Sequence, residues 1–383
     1  MLSKLSASIE LTPIRKMFDK SLACKDPINF TLGQPDFPTP RNIIEAACKY
    51  IRAGDTFYTP NAGIMPLREA IARKFSETLF PIDPASEVMI GPGAGSVLML
   101  IMQSILDPGD EVLITNPYWS TYLVQIQIAG GVPKFINVYE DDDFELTCGE
   151  LEKNLTSKSK ILILTSPCNP TGAVLSENTL RGIAEIAERH GIFVISDEVY
   201  RYIRYDDKPY FSIASLPGMK ERCAVVDSFS KTYAMPGWRV GFAIANEELI
   251  SSMCKIYEGN ASCMFAPLQY AAIEALENSQ EAVDEMVSIY RKRRQVICEG
   301  LNSIDGISCK YPKGAFYVMP NIKGLNMSSQ EFADRMVMEA GVVTVPGSGL
   351  GENGEGYLRM CFAISEEKIE AGIDRIDKFV RRI

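Results

Sequence analysis

The sequence predicts an α/β protein: a mainly parallel β-sheet covered by helices on both faces, followed by a smaller α+β unit. Three observations carry this. Short apolar runs alternate with longer helical segments between residues 88 and 245. Several of those runs are apolar at successive positions, as strands buried on both faces are. After about residue 265 the alternation stops, and a long helical stretch with a few short strands takes over. With 383 residues and 46% hydrophobic side chains, the chain can bury two cores.

The strand-like runs, in order, are Val88–Ile90, Val112–Thr115, Lys134–Val138, Ile161–Thr165, Ile192–Ser196, Ala224–Asp227 and Val240–Ala245. Helical periodicity fills Ser96–Leu106 and Glu177–His190. Turns punctuate the chain at Asp107-Pro-Gly-Asp, Gly130-Gly131 and His190-Gly191. Pro267 to Leu301 reads as one long charged helix with no proline inside it. Short strands follow at Ala315–Met319 and Gly356–Cys361, then an amphipathic helix from Glu366. There is no internal repeat, heptad run or low-complexity tract.

Composition excludes several classes of function. A formal net charge of −10 disfavours a nucleic-acid partner, whose phosphates need basic stripes. No apolar run approaches the roughly 18 residues of a membrane span, and the N-terminus lacks a secretion signal. The ten cysteines contain no C-x-x-C, so structural zinc is not expected, and a reducing cytoplasm fits them. The single histidine, His190, sits where a helix ends. That leaves none for a Ser-His-Asp or Cys-His mechanism, so proton transfer falls to Lys, Tyr, Asp, Glu or a cofactor.

Four segments could carry chemistry. In Asp227-Ser-Phe-Ser-Lys231-Thr-Tyr-Ala-Met-Pro-Gly-Trp-Arg239-Val-Gly a strand ends among small hydroxyl residues around one lysine. A lysine there could form a Schiff base if its pKa were lowered, and Arg239 could clamp a phosphate. Taken alone, Lys231 reads more readily as a solvated surface group. Ile192-Phe-Val-Ile-Ser-Asp197-Glu-Val-Tyr200 is a buried strand ending in a carboxylate, which needs a cation or else caps a loop. Thr165-Ser-Pro-Cys-Asn169-Pro-Thr-Gly172 offers an asparagine for a phenolate oxygen, or turn chemistry alone. Gly91-Pro-Gly-Ala94-Gly95-Ser96 is a glycine loop leading into a helix, a common form of phosphate cradle.

Together with Gly33-Gln-Pro-Asp-Phe, these motifs stand in the order of the class I/II aminotransferases of pyridoxal-phosphate fold type I. The chain resembles that family from about residue 10 to its end, and is most similar to the prokaryotic aspartate and aromatic aminotransferases. The resemblance implies a large domain with a seven-stranded sheet over residues 37–285 and a small α+β domain over 286–383. Residues 1–36 would pack with the small domain. It also implies pyridoxal 5′-phosphate as cofactor. Lys231 would bond it and then shuttle the substrate Cα proton, and Asp197 would pair with the pyridinium nitrogen. Tyr200 and Asn169 would bind the phenolic oxygen, Trp119 would stack on the ring, and Ala94, Gly95, Ser228 and Arg239 would bind the phosphate. Arg359, otherwise an ordinary strand arginine, would take the substrate carboxylate, with Gly33, Asn169 and Trp119 beside it. Tyr58, in Phe57-Tyr58-Thr-Pro-x-x-Gly63, would reach the phosphate of a neighbouring subunit, which implies a homodimer with shared sites.

The implied reaction moves an amino group from an aspartate-type or aromatic amino acid to a 2-oxo acid such as 2-oxoglutarate. β-Eliminating C–S lyases use the same scaffold and form the alternative. A pyridoxal-phosphate-binding DNA regulator would need a basic helix-turn-helix ahead of the domain, which this acidic chain does not suggest. Two departures from the family matter. Tyr122 stands where some members have a histidine supporting the buried aspartate. Gly95 stands where some aspartate enzymes have a lysine for the substrate's distal carboxylate, whereas Trp119 is typical of aspartate enzymes. Arg359 and Lys231 fall in different domains, so substrate should draw the two together.

Overall fold

The computed structural model describes residues 2–22, 24–206 and 208–383. A two-residue strand β1 (Ile28–Asn29) comes first. The central strands follow: β2 (Val88–Gly91), β3 (Glu111–Asn116), β4 (Val132–Asn137), β5 (Ser159–Thr165), β6 (Phe193–Asp197), β7 (Cys223–Ser228) and β8 (Gly241–Ile244). They form one seven-stranded sheet in the order β2-β8-β7-β6-β5-β3-β4. Only β8 runs antiparallel to its neighbours. This is the mainly parallel sheet expected from the runs of apolar residues.

Successive side chains of a strand face opposite ways, and β5 divides its residues accordingly. Leu162 and Leu164 join a core on one face, and Ile161 and Ile163 a core on the other. Helices Gly93–Ile105 and Glu247–Glu258 cover the second face, and Met65–Ser76 and Glu177–His190 the first. The latter stops at Gly191, whose φ of 67° is the left-handed cap the sequence signalled.

A third core belongs to the C-terminal part. There β9 (Tyr317–Val318), β10 (Val342–Val343), β11 (Val345–Pro346) and β12 (Leu358–Cys361) lie with helices Ser329–Ala340 and Glu366–Val380. β12 is flanked by β9 and β11, and β10 pairs in parallel with β1, so the N-terminal segment belongs to this core. Met17 and Phe30 are buried there too.

The long helix differs from expectation. It is two helices, Ala266–Asn278 and Gln280–Asn302, broken at Ser279. Ser279 leaves the helical region with φ −123° and ψ 17°, and its buried hydroxyl accepts a hydrogen bond from Asn42 at 3.0 Å. A contact from a residue so distant in sequence outweighs local helical propensity. Along the second helix the packing changes sides: Val283 belongs to the first core, Met286 and Tyr290 to the third. Among the described residues no helix is long and apolar enough to cross a membrane.

Candidate active site

The C-terminal ends of β5, β6 and β7 open into a cavity of ≈ 340 Å³, where ligands of such sheets bind. Every candidate residue named from sequence lines it except Tyr58. Tyr58 is 93% exposed and stands outside its own chain's cavity.

Asp197 ends β6 and is buried. Its Oδ2 accepts a hydrogen bond from the Tyr122 hydroxyl at 2.5 Å, while its Oδ1 has no partner. Burial raises its pKa to about 6 against the Tyr122 bond, which lowers it. The Tyr122 oxygen also lies 2.8 Å from the Thr165 hydroxyl. A phenol has one proton, so with that proton on Asp197, Thr165 is the donor to Tyr122.

Lys231 follows β7, on the short helix Phe229–Thr232 capped by Ser228. Its amine donates to the Gly33 carbonyl at 2.5 Å. Burial is the main cause that brings its pKa down to about 8, so a free amine is accessible near neutrality. Gly33 is required sterically, because a Cβ there would collide with the Tyr317 hydroxyl.

The glycine loop and Arg239 meet at one end of the cavity. The helix begins at Gly93, so Ala94 and Gly95 occupy its first turn, and no side chain caps it. Its free N–H groups form an anion site. Gly93 has φ +79°, and a Cβ there would strike the Arg239 guanidinium. Ser228 completes this end.

At the other side Arg359, on β12, is 1% exposed. It donates to the Thr31 carbonyl and, at 3.4 Å, to Asn169 Oδ1. Its Nε has no partner, and among the described residues it forms no ion pair. A buried guanidinium without an anion is costly, which marks a place for a carboxylate ligand. Its charge lies 4.7 Å from the centre of the Tyr317 ring. Tyr200 places its hydroxyl 2.8 Å from that of Tyr317, and Trp119 stands edge-on to Tyr122 at 5.1 Å.

Sequence reading missed Tyr317, Thr165, Thr12 and Ile14, all of which line the cavity. Thr165 opens a motif already singled out. Tyr317 offered only its place in a short strand, since its partner Tyr200 is 117 residues away.

The comparisons agree with this geometry. The family described as "Aminotransferase class I and II" matches residues 25–376. This chain belongs to that family. It is 44% identical to an aspartate aminotransferase of Pyrococcus abyssi over 96% of this chain and 95% of that protein. It is 42% identical to aromatic-amino-acid aminotransferase 2 of Thermococcus litoralis, with the same coverage. The aspartate aminotransferase of Thermus thermophilus with maleate superposes with a TM-score of 0.94 at 32% identity, over 99% of each chain.

The protein is thus a pyridoxal-phosphate-dependent aminotransferase of fold type I, acting on amino and 2-oxo acids, and the lyase alternative is not favoured. The residues present fit the cofactor. Asp197 has an unpartnered oxygen for a ring N–H, Lys231 an accessible amine, and the uncapped helix with Arg239 an anion cradle.

Proposed function

We propose that this aminotransferase takes its amino group from aspartate or an aromatic amino acid and gives it to a 2-oxo acid such as 2-oxoglutarate. The carrying observation is Arg359: buried, without an acidic partner among the described residues, and opening into the cavity that holds Lys231. Its fork suits the planar α-carboxylate of both substrates. Gly33 and Asn169 flank that carboxylate, and Trp119 borders the substrate.

When bound, the cofactor supplies an electron sink for negative charge at the substrate Cα. Asp197 would meet the ring nitrogen, and Tyr200 and Asn169 would donate to the phenolic oxygen. The Ala94 and Gly95 amides, Ser228 and Arg239 would hold the phosphate, and Trp119 would lie against the ring. Lys231 would anchor the group through Nζ and, once released, take and return the substrate Cα proton. Tyr58 reaches the phosphate of a second copy; its own exposure, beside Phe57 at 81%, supports a homodimer with shared sites.

The switch of cores between Val283 and Met286 supports a large domain over 37–285 and a small one over 286–383, with 1–36 packed on the latter. Ten unpaired thiols support a cytoplasmic setting. Among the described residues, the only cationic side chains lining the cavity are Lys231, Arg239 and Arg359, each already employed. Aspartate's distal carboxylate therefore has no dedicated cation from this chain, and aromatic donors should compete well with it. The test mixes holoenzyme with single amino acids and no acceptor. Phenylalanine, tyrosine and aspartate should each convert the cofactor and abolish its visible absorbance, while phenethylamine, lacking the carboxylate, should not. Equal conversion by phenethylamine would remove Arg359 from its role, and a strict preference for aspartate would overturn the substrate reading.

A further inference from the structure

We infer that Tyr317 is a positioning residue that ties carboxylate recognition at Arg359 to the proton held by Tyr200. The inference rests on the roles proposed above for those two residues.

Tyr317 is on β9, which pairs antiparallel with β12 so that Tyr317 faces Cys361. Arg359, two residues before Cys361, is therefore its diagonal neighbour on the same face, within reach of a long side chain. The guanidinium carbon lies 4.7 Å from the Tyr317 ring centroid. A cation held on a ring face is attracted by the ring's quadrupole, more so when water is excluded, and Tyr317 is 1% exposed. The ring thus fixes the guanidinium that has no carboxylate of its own.

The other end of the same side chain meets Tyr200, hydroxyl to hydroxyl, at 2.8 Å. The two hydroxyls share two protons, of which one lies between the oxygens. When Tyr317 is the donor, the Tyr200 proton is free to point into the cavity. When Tyr200 is the donor, that proton is spent on Tyr317. The Arg359 charge acts on both phenols, but it sits on the ring of Tyr317, and a cation so placed makes that phenol the better donor. Burial keeps both phenols neutral, the condition for either to donate. Tyr317 also abuts Gly33, the residue whose carbonyl accepts the Lys231 amine. One side chain of the C-terminal unit therefore touches the carboxylate site, the phenol and the backbone that holds the lysine.

Two variants separate its two ends. Tyr317→Phe keeps the ring and removes the hydroxyl; Tyr317→Leu removes both. The readouts are the pH midpoint of the bound cofactor's visible absorbance and the dissociation constant of maleate, a non-reacting carboxylate. A donor at the phenolic oxygen favours its ionised form, so weakening Tyr200 raises the midpoint. Tyr317→Phe should raise it by on the order of half to one pH unit and leave maleate affinity within about twofold. Tyr317→Leu should raise the midpoint similarly and weaken maleate about tenfold. An unmoved midpoint in Tyr317→Phe, or unchanged maleate binding in Tyr317→Leu, overturns the inference. Tyr200→Phe is the control for the underlying reading: if it too leaves the midpoint in place, the role of Tyr200 fails as well. If it moves the midpoint while Tyr317→Phe does not, only Tyr317 is displaced.

Discussion

At Asp197 a carboxylate is held where burial opposes its charge. Its pKa of about 6 stands above the ordinary 3.8, so the folded apoprotein favours the protonated form. The sign follows: the apoprotein loses stability as pH rises from about 4 to about 6, and the loss is complete at neutrality. Asp197→Asn should remove that cost, raising apoprotein stability at neutral pH by on the order of 2–3 kcal/mol while abolishing activity. Denaturant unfolding of both apoproteins across this pH range checks it; equal stabilities at neutral pH would contradict it. Tyr122→Phe removes the side-chain bond that favours the charge, so Asp197 should titrate higher and the acid limb of cofactor binding should move up by about one pH unit. The aspartate was legible because a carboxylate ending an apolar strand demands a partner. That its protein partner is Tyr122, 75 residues away in sequence, is encoded by no local pattern.

The helix Gly93–Ile105 illustrates what propensity can and cannot tell. Sequence placed the start at Ser96, because glycine is a poor helix former. The structure begins it at Gly93, since first-turn N–H groups make no intrahelical bond and are free to face an anion. Close approach fixes the glycines: at Gly241 on β8 a Cβ would run into the backbone of Gly93 and Ala94. Gly93→Ala meets both a positive φ and the Arg239 guanidinium. It should weaken cofactor retention at least about tenfold, with a smaller effect on the unfolding midpoint of the apoprotein. Equilibrium dialysis against pyridoxal phosphate measures the first, and unchanged retention would deny the cradle. Strands and the Glu366 helix were legible from apolar runs and stop signals. The break at Ser279 was not, because its cause is the side chain of Asn42, brought in by the fold.

Across the whole molecule, the two groups proposed to hold cofactor and substrate come from different parts of the fold: Lys231 follows β7 of the large sheet, and Arg359 lies in β12 of the C-terminal unit. Their convergence on one cavity was legible only through the order of the motifs, since nothing local in Gly356-Tyr-Leu-Arg359 points to a carboxylate. The remaining candidate, Tyr58, is legible in the same way; it is exposed and does not line its own chain's cavity. If each site is completed by the second copy's Tyr58, Tyr58→Ala should loosen the cofactor without disturbing the lysine, and Lys231→Ala should abolish activity while leaving its Tyr58 serviceable. Mixed dimers of the two variants then contain one site with intact Lys231 and an intact Tyr58 from the other chain, and one site lacking both. Subunits unfolded together and refolded as a mixture, assayed at limiting pyridoxal phosphate, should recover activity that neither variant shows alone. Random pairing makes half the dimers mixed, each with one competent site, so about a quarter of the wild-type sites should return. Recovery no greater than the averaged activity of the two parents would mean that each chain completes its own site and that Tyr58 has no part in the phosphate cradle.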